Sequence, residues 1–158
     1  MHTENTTNIY EKLKALNIEL PPPPKAMGLY LPVKIVGNMA YVSGQGPLAN
    51  GKLTCTGKVG KDVTTEQAQT AARQIALNTL ALLHEYVGDL NKIKSVVKVL
   101  GFVASAEGFN EQPIVINAFS QVFVDVFGES GRHARSAVGT NELPMDISVE
   151  IESIFEIG

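Results

Sequence analysis

The sequence predicts an α+β fold: one β-sheet with two long helices packed on a single face. Three observations carry this reading. Residues 64–87 and 112–127 place apolar side chains at helical spacing. Residues 31–36, 39–43, 93–106, 133–138 and 147–157 are β-rich runs bounded by turn residues. The resulting order is β-β-(β)-α-β-α-β-β, and two helices of this length cover only one face of such a sheet.

Residues 8–18 carry Ile9, Leu13 and Leu16 between charges, which predicts a short amphipathic helix. Pro21 to Pro24 then end any helix and force extended backbone. Residues 1–24 therefore read as an N-terminal helical and proline-rich extension, followed by the domain proper at 25–158. Gly37-Asn38 separates the first two strands and is a two-residue hairpin signal. The looser stretch 46–60 holds one further short strand near 53–56.

Thr64 caps the first long helix, Gln67 completes a capping box, and Gly88 stops it. Its buried face is expected to carry Ala68, Ala71, Ala72, Ile75, Thr79, Leu82, Leu83 and Tyr86. In the second, Pro113 suits the first turn and Gly128 the end. Val96, Val97, Val99, Leu100, Phe102 and Val103 make the long strand almost continuously apolar, as if it were buried on both faces. The helices leave one face open, so another copy of the chain is the economical cover.

Composition bounds the function. The 158 residues fit one domain with a full core, at 44% hydrophobic content. Charged residues make up only 18%, a second hint that some surface is covered by a copy. The net charge is −3, and the 13 basic residues form no run, so nucleic acid is not the expected partner. One cysteine, Cys55, excludes an intrachain disulfide and fits a reducing compartment. No signal peptide pattern and no membrane-length apolar stretch is present, which makes the cytoplasm the default.

The last strand alternates. Ile147, Val149, Ile151, Ser153, Phe155 and Ile157 share one face, expected under the helices. Ser148, Glu150, Glu152, Ile154 and Glu156 share the other. Glu150 then points to the open side, and Arg135 on the preceding strand can lie on that same side. An arginine fork grips a carboxylate with two hydrogen bonds, and a glutamate orients or activates water. Gly44, in the turn Ser43-Gly44-Gln45-Gly46, allows backbone to approach a ligand. An Arg and a Glu on neighbouring strands are more often a structural ion pair, so both readings stand at this point.

The segments Ala134-Arg135-Ser136-Ala137-Val138, Leu143-Pro144 and Val149-Glu150-Ile151-Glu152 resemble the C-terminal signature of the RidA/YjgF family of imine deaminases. That family is historically labelled L-PSP endoribonuclease. Gly28-Leu29-Tyr30, Val36-Gly37-Asn38 and Val42-Ser43-Gly44-Gln45 match in order, and Asn117-Ala118 resembles the family's helix pattern. The resemblance implies a chorismate-mutase-like fold and a homotrimer whose sheets line a barrel, with clefts between subunits. It implies that Arg135 holds the carboxylate of an enamine or imine acid, such as 2-aminoacrylate or 2-iminobutanoate, and that Glu150 positions water. Tyr30, Ser43 and Gly44 would line the cleft, Tyr30 from the neighbouring chain. Asn117 joins the substrate-binding set, and the Ala137 backbone would touch the substrate nitrogen or the water. The products would be a 2-keto acid and ammonia, with no metal or organic cofactor. Two departures mark this chain: His133 stands where the family commonly has proline, and Ala137 where many members have cysteine.

The remaining candidates read plainly. His133 lies two residues from Arg135 and could face the same cleft, though a solvated strand-end histidine is the plainer reading; His84 reads as a surface residue, and His2 sits in the N-terminal end. No histidine has metal-ligand spacing. Cys55 reads as an inert, partly buried thiol, and Ser43 has no obvious base. A trimer that binds or senses a small carboxylate without turnover is the alternative function. A ribonuclease or translation inhibitor is a third, and the acidic balance counts against it.

Overall fold

The hairpin, the caps and the strand alternation act locally, and each is visible in the computed structural model, which describes residues 8–158. Asn8 caps α1 (Ile9–Ala15), its side chain accepting from the Tyr10 and Glu11 amides. Leu13 is the buried residue of α1. The helix is tied down at its start, where the Ile9 amide donates to Asn91 Oδ1 at 2.9 Å. Tyr10 Oη accepts from the Leu90 amide at 2.9 Å and lies 2.7 Å from His84 Nδ1. His84 is exposed, as expected, and the contact gives it a docking role. His2 lies outside the described residues.

β1 (Val33–Val36) and β2 (Met39–Gln45) form the expected hairpin, with Val36 opposite Met39. Gly37 takes φ +58, which the turn requires at its first position. The next strand is shorter than expected and has a partner. β3 (Leu48–Ala49) pairs with β4 (Lys52–Leu53) around Asn50-Gly51, both in left-handed conformation. Thr56 makes only an isolated bridge to Ile147. The Asn-Gly pair was the available signal for this small hairpin.

α2 (Thr65–Val87) starts on Thr64 with both halves of the capping box formed and ends at Gly88. Its expected face is buried except for Tyr86, which is exposed. Asn78 is buried instead and donates to the Leu48 carbonyl at 2.8 Å. α3 (Gln112–Phe127) has the expected bounds and buries Val115, Ile116, Phe119, Val122, Phe123 and Val126. Between the helices runs β5 (Ile93–Ala104); β6 (Ala134–Thr140) and β7 (Val149–Ile157) close the chain.

The sheet order is β1-β2-β7-β5-β6. All neighbours are antiparallel except β5 and β6, whose parallel pairing follows from the α3 crossover between them. Phe119, Phe123 and Phe155 join α3 to β7, with ring centroids 4.8 and 5.5 Å apart. On β7 the alternation holds, and the residue before the strand departs from it. Ser148 is fully buried, because its hydroxyl donates to the Gly57 carbonyl at 2.7 Å.

The apolar run in β5 has a local cause as well as an open face. The pairing with β7 shifts register between Val96 and Lys98. That bulge leaves Val97 exposed and returns Val99 to the helix side. Beyond it, Val99 and Val103 are buried, while Leu100 and Phe102 on the other face are half-buried. Within one chain the second face is therefore open.

Gly131 sets the distance between α3 and β6. A Cβ there would overlap the Phe123 carbonyl oxygen and come within 2.7 Å of its carbon. Both atoms are helix backbone near the end of α3, so neither can rotate away. Gly131→Ala is expected to destabilise the chain by about 3 kcal/mol, the upper range for overpacking. Urea unfolding should show a lowered midpoint at unchanged slope. A midpoint equal to wild type would mean that the helix and strand are not pinned here.

Candidate functional site

Two groups of the expected residues form, on opposite faces of the sheet. The first surrounds Arg135. In the parallel pair, Arg135 is level with Val99, which is level with Ser153, and both neighbours are buried under the helices. Arg135 therefore points toward α3. Its Nη1 donates to Asn117 Oδ1 at 2.8 Å and to Ser120 Oγ at 3.1 Å. Its Nη2 donates to the Pro113 carbonyl at 3.4 Å. All three acceptors are neutral. The only ion pair among the described residues is Arg132 with Glu129, both widely exposed. Burial lowers the Arg135 pKa, and no carboxylate among the described residues offsets the effect. A guanidinium has five N–H donors, so about two remain for a ligand.

His133 belongs to this group, which corrects its reading as a solvated strand-end residue. It is half-buried, with Nε2 2.8 Å from Ser120 Oγ and Nδ1 2.7 Å from the Gly131 carbonyl. Ala137 lies two residues beyond Arg135 on the same face and packs at the edge of the core.

The second group surrounds Glu150. Glu150 is level with Phe102, on the sheet face away from the helices. The expectation that Arg135 and Glu150 share a side is thus corrected: the two strands place them on opposite faces. β2 bends at this point. Val42 pairs with Ser153 but Gln45 with Ile151, so one extra residue is accommodated at Ser43-Gly44. The bulge brings Gly44 beneath the carboxyl group, and a Cβ at Gly44 would lie 2.9 Å from Glu150 Cδ and Oε2. Burial, then the nearby Glu152 charge, raises the Glu150 pKa. The carboxyl group borders a cavity of about 310 Å³ with Met27, Tyr30, Gly44, Met145 and Ile147.

Tyr30 thus sits with Glu150 and Gly44 of its own chain. Its ring packs on Gly28, and its hydroxyl accepts weakly from the Met27 amide at 3.4 Å. Ser43 is turned inward, its hydroxyl 3.3 Å from the Pro32 carbonyl. Met145 and Asp146 beside the cavity both hold positive φ, at 57° and 58°, unusual for residues with side chains. Cys55 is half-buried against the core. Among the described residues, no three His, Cys, Asp or Glu side chains gather to hold a metal, and no helix is long and apolar enough to cross a membrane.

Comparison with known proteins shows the family. The family described as "YjgF/chorismate mutase-like, putative endoribonuclease" matches residues 10–155. The chain belongs to this family. Among similar proteins, protein TCP17 of Trypanosoma cruzi is 38% identical over 146 residues, covering 92% of this chain and 91% of its own. A 2-iminobutanoate/2-iminopropanoate deaminase of Dermatophagoides farinae is 33% identical over 145 residues, covering 89% and 94%. A solved structure from Agrobacterium tumefaciens, of unknown function, is 48% identical with TM-score 0.88, covering 95% and 92%. The fold is the α+β chorismate-mutase-like fold of the family, with a mixed sheet.

Against the family pattern, Ser120 and Pro113 are the residues that sequence reading missed. Pro113, Asn117 and Ser120 follow the i, i+4, i+7 spacing of one helix stripe. In a helix as apolar as α3, a stripe bearing an amide and a hydroxyl is the signal that could have found the Arg135 cradle.

Proposed function

We propose that this YjgF-family chain hydrolyses small 2-imino acids, of the 2-iminopropanoate and 2-iminobutanoate type, to 2-keto acids and ammonia. The observation that carries this reading is the Arg135 guanidinium: half-buried, held by three neutral acceptors, without a carboxylate of its own and with N–H donors left over. An anion with planar oxygens suits that edge. The relative named as a 2-iminobutanoate/2-iminopropanoate deaminase supports the same substrate class.

In this reading Arg135 holds the carboxylate. Glu150 takes a proton from water, which adds to the imine carbon. Glu150 returns that proton to the nitrogen to give a carbinolamine, then carries the carbinolamine's hydroxyl proton to the nitrogen as well, so that ammonia leaves as the carbonyl forms. A carboxyl group with a raised pKa suits both halves of the transfer. The chemistry is undemanding, because imines hydrolyse unaided and positioning supplies much of the gain.

One chain holds Arg135 and Glu150 on opposite faces, so the complete site takes Arg135 from one copy and Glu150, Tyr30 and Gly44 from another. The open sheet face supports such an assembly: Tyr41 and Val138 are exposed there, beside half-buried Leu100, Phe102 and Ile154. Leu29 and Leu31 flank Tyr30 and are also exposed. We take the assembly to be a trimer, as the family resemblance implies.

The test is direct. 2-Iminobutanoate is generated in situ by a threonine dehydratase, and 2-keto acid release is followed with semicarbazide as the competing trap. Faster release with the purified chain supports the deaminase. Release equal to the uncatalysed rate across a panel of imino acids would reject it and leave a carboxylate-binding protein.

A further inference from the structure

Beyond the groups that would touch substrate, one hydrogen-bonded chain ends on Arg135 and is unused by the proposed reaction. It runs from the Gly131 carbonyl to His133, to Ser120 and to the guanidinium. Its sense is fixed by chemistry. A carbonyl only accepts, so His133 Nδ1 carries the hydrogen and donates to Gly131 over 2.7 Å. In the neutral ring Nε2 is then an acceptor, and the Ser120 hydroxyl donates to it over 2.8 Å. With its hydrogen committed, Ser120 Oγ offers lone pairs to Arg135 Nη1 at 3.1 Å.

The far end cannot drift. Gly131 is buried and pressed against the α3 backbone at Phe123 and Val124. Ser120 and Asn117 stand on the same helix. Burial, more than the opposing hydrogen bond to Gly131, lowers the His133 pKa, and the Arg135 charge lowers it further. Both effects keep the ring in the neutral form that the chain of donors needs. An arginine side chain otherwise has several freely rotating bonds to immobilise.

We propose that His133 and Ser120 form a positioning relay that holds the Arg135 guanidinium in one orientation, with its remaining N–H donors presented to the carboxylate. The proposal rests on the carboxylate-site reading for its purpose, and on the hydrogen bonds alone for its existence. His133 and Ser120 are positioning residues. They act through Arg135 and take no proton from the substrate.

The relay can be tested without a ligand. The chain has three arginines, Arg73, Arg132 and Arg135, so their guanidinium Nη–H signals are few, and Arg135→Lys assigns its own by their loss. In the ligand-free protein, the Arg135 Nη1–H that donates to Ser120 should exchange slowly with water. His133→Ala should accelerate that exchange about ten-fold, the effect of losing one modest hydrogen bond. Ser120→Ala, a benign change in a helix, should do the same with His133 intact. His133→Gln, whose Oε1 can accept from Ser120, should restore slow exchange. Unchanged exchange in both alanine variants would overturn the relay.

Calorimetric titration with 2-oxobutanoate forms the second arm. His133→Ala should weaken binding about ten-fold and His133→Gln much less, with kcat on saturating imine within about two-fold of wild type. Wild-type protein that binds no 2-oxobutanoate would reject the carboxylate reading. The relay itself would still stand or fall on the exchange rates.

Discussion

Arg135→Ala is expected to lower kcat/KM for a 2-imino acid by roughly 150-fold, equivalent to about 3 kcal/mol, within the range for truncating one member of a buried hydrogen-bonded charge pair. The loss should appear mainly in KM, because the carboxylate is held before and during the reaction alike. Arg135→Lys keeps the charge but loses the fork. An ammonium also cannot donate at once to Asn117, Ser120 and Pro113 and still offer two donors outward. It should recover no more than about a tenth of the wild-type value. Stability should change little: the guanidinium is half-buried, and the acceptors it leaves on the edge of α3 can turn to water. A melting point within a few degrees of wild type, with activity gone, identifies Arg135 as a ligand residue. Retained kcat/KM in the alanine variant would remove it from the site.

This expectation depends on which way Arg135 points, and that was the part of the site the sequence did not hold. β7 declares its faces, because Ile147, Val149, Ile151 and Phe155 alternate with Glu150, Glu152 and Glu156. β6 does not. Ala134, Ser136, Ala137 and Gly139 are small, and no apolar alternation marks which side of the strand is buried. The decision is made elsewhere, by the parallel register that sets Arg135 level with Val99 and by the acceptors on α3. The bulges were hidden for a similar reason. An extra residue at Ser43-Gly44 or near Val97 changes parity without changing composition. Gly44 advertised a close approach of something to the backbone, but the sequence could not say that the visitor is the Glu150 carboxyl.

The elements themselves were legible because their signals are local. Thr64 with Gln67, Pro113 with Gly128 and Gly37-Asn38 each act within a few residues and needed no knowledge of the fold. The His133–Ser120 contact is the opposite case. It closes over thirteen residues, around the end of α3 and a tight turn, and only the packed Gly131 makes it possible. Family resemblance supplied the candidate residues of both groups, while the strand pattern alone had set Arg135 and Glu150 on one side of the sheet. The sheet divides them, and that division is what makes a second copy of the chain a requirement of the proposed chemistry.

Glu150→Gln should separate activity from stability most sharply. As the base for water, Glu150 must be ionised, so the wild-type rate should rise with pH through a midpoint above the ordinary glutamate value. Glutamine cannot take the proton, and a loss of roughly 10²- to 10⁴-fold in kcat is expected. The same substitution should raise the melting temperature at neutral pH. The folded chain keeps Glu150 protonated to a higher pH than the unfolded chain does, so the unfolded state sheds its proton first. Stability therefore falls as pH climbs from the ordinary glutamate value to the raised one, and above it the loss is complete. Glutamine does not titrate and escapes that loss, so the two proteins should melt together in acid and diverge as pH rises. Glu152→Gln supplies the internal control. Removing the neighbouring charge should move the acid limb of the rate profile to lower pH while leaving the plateau rate in place. An acid limb that stays put would mean that Glu152 does not act on Glu150. An active Glu150→Gln protein would mean that the water is activated by some other group.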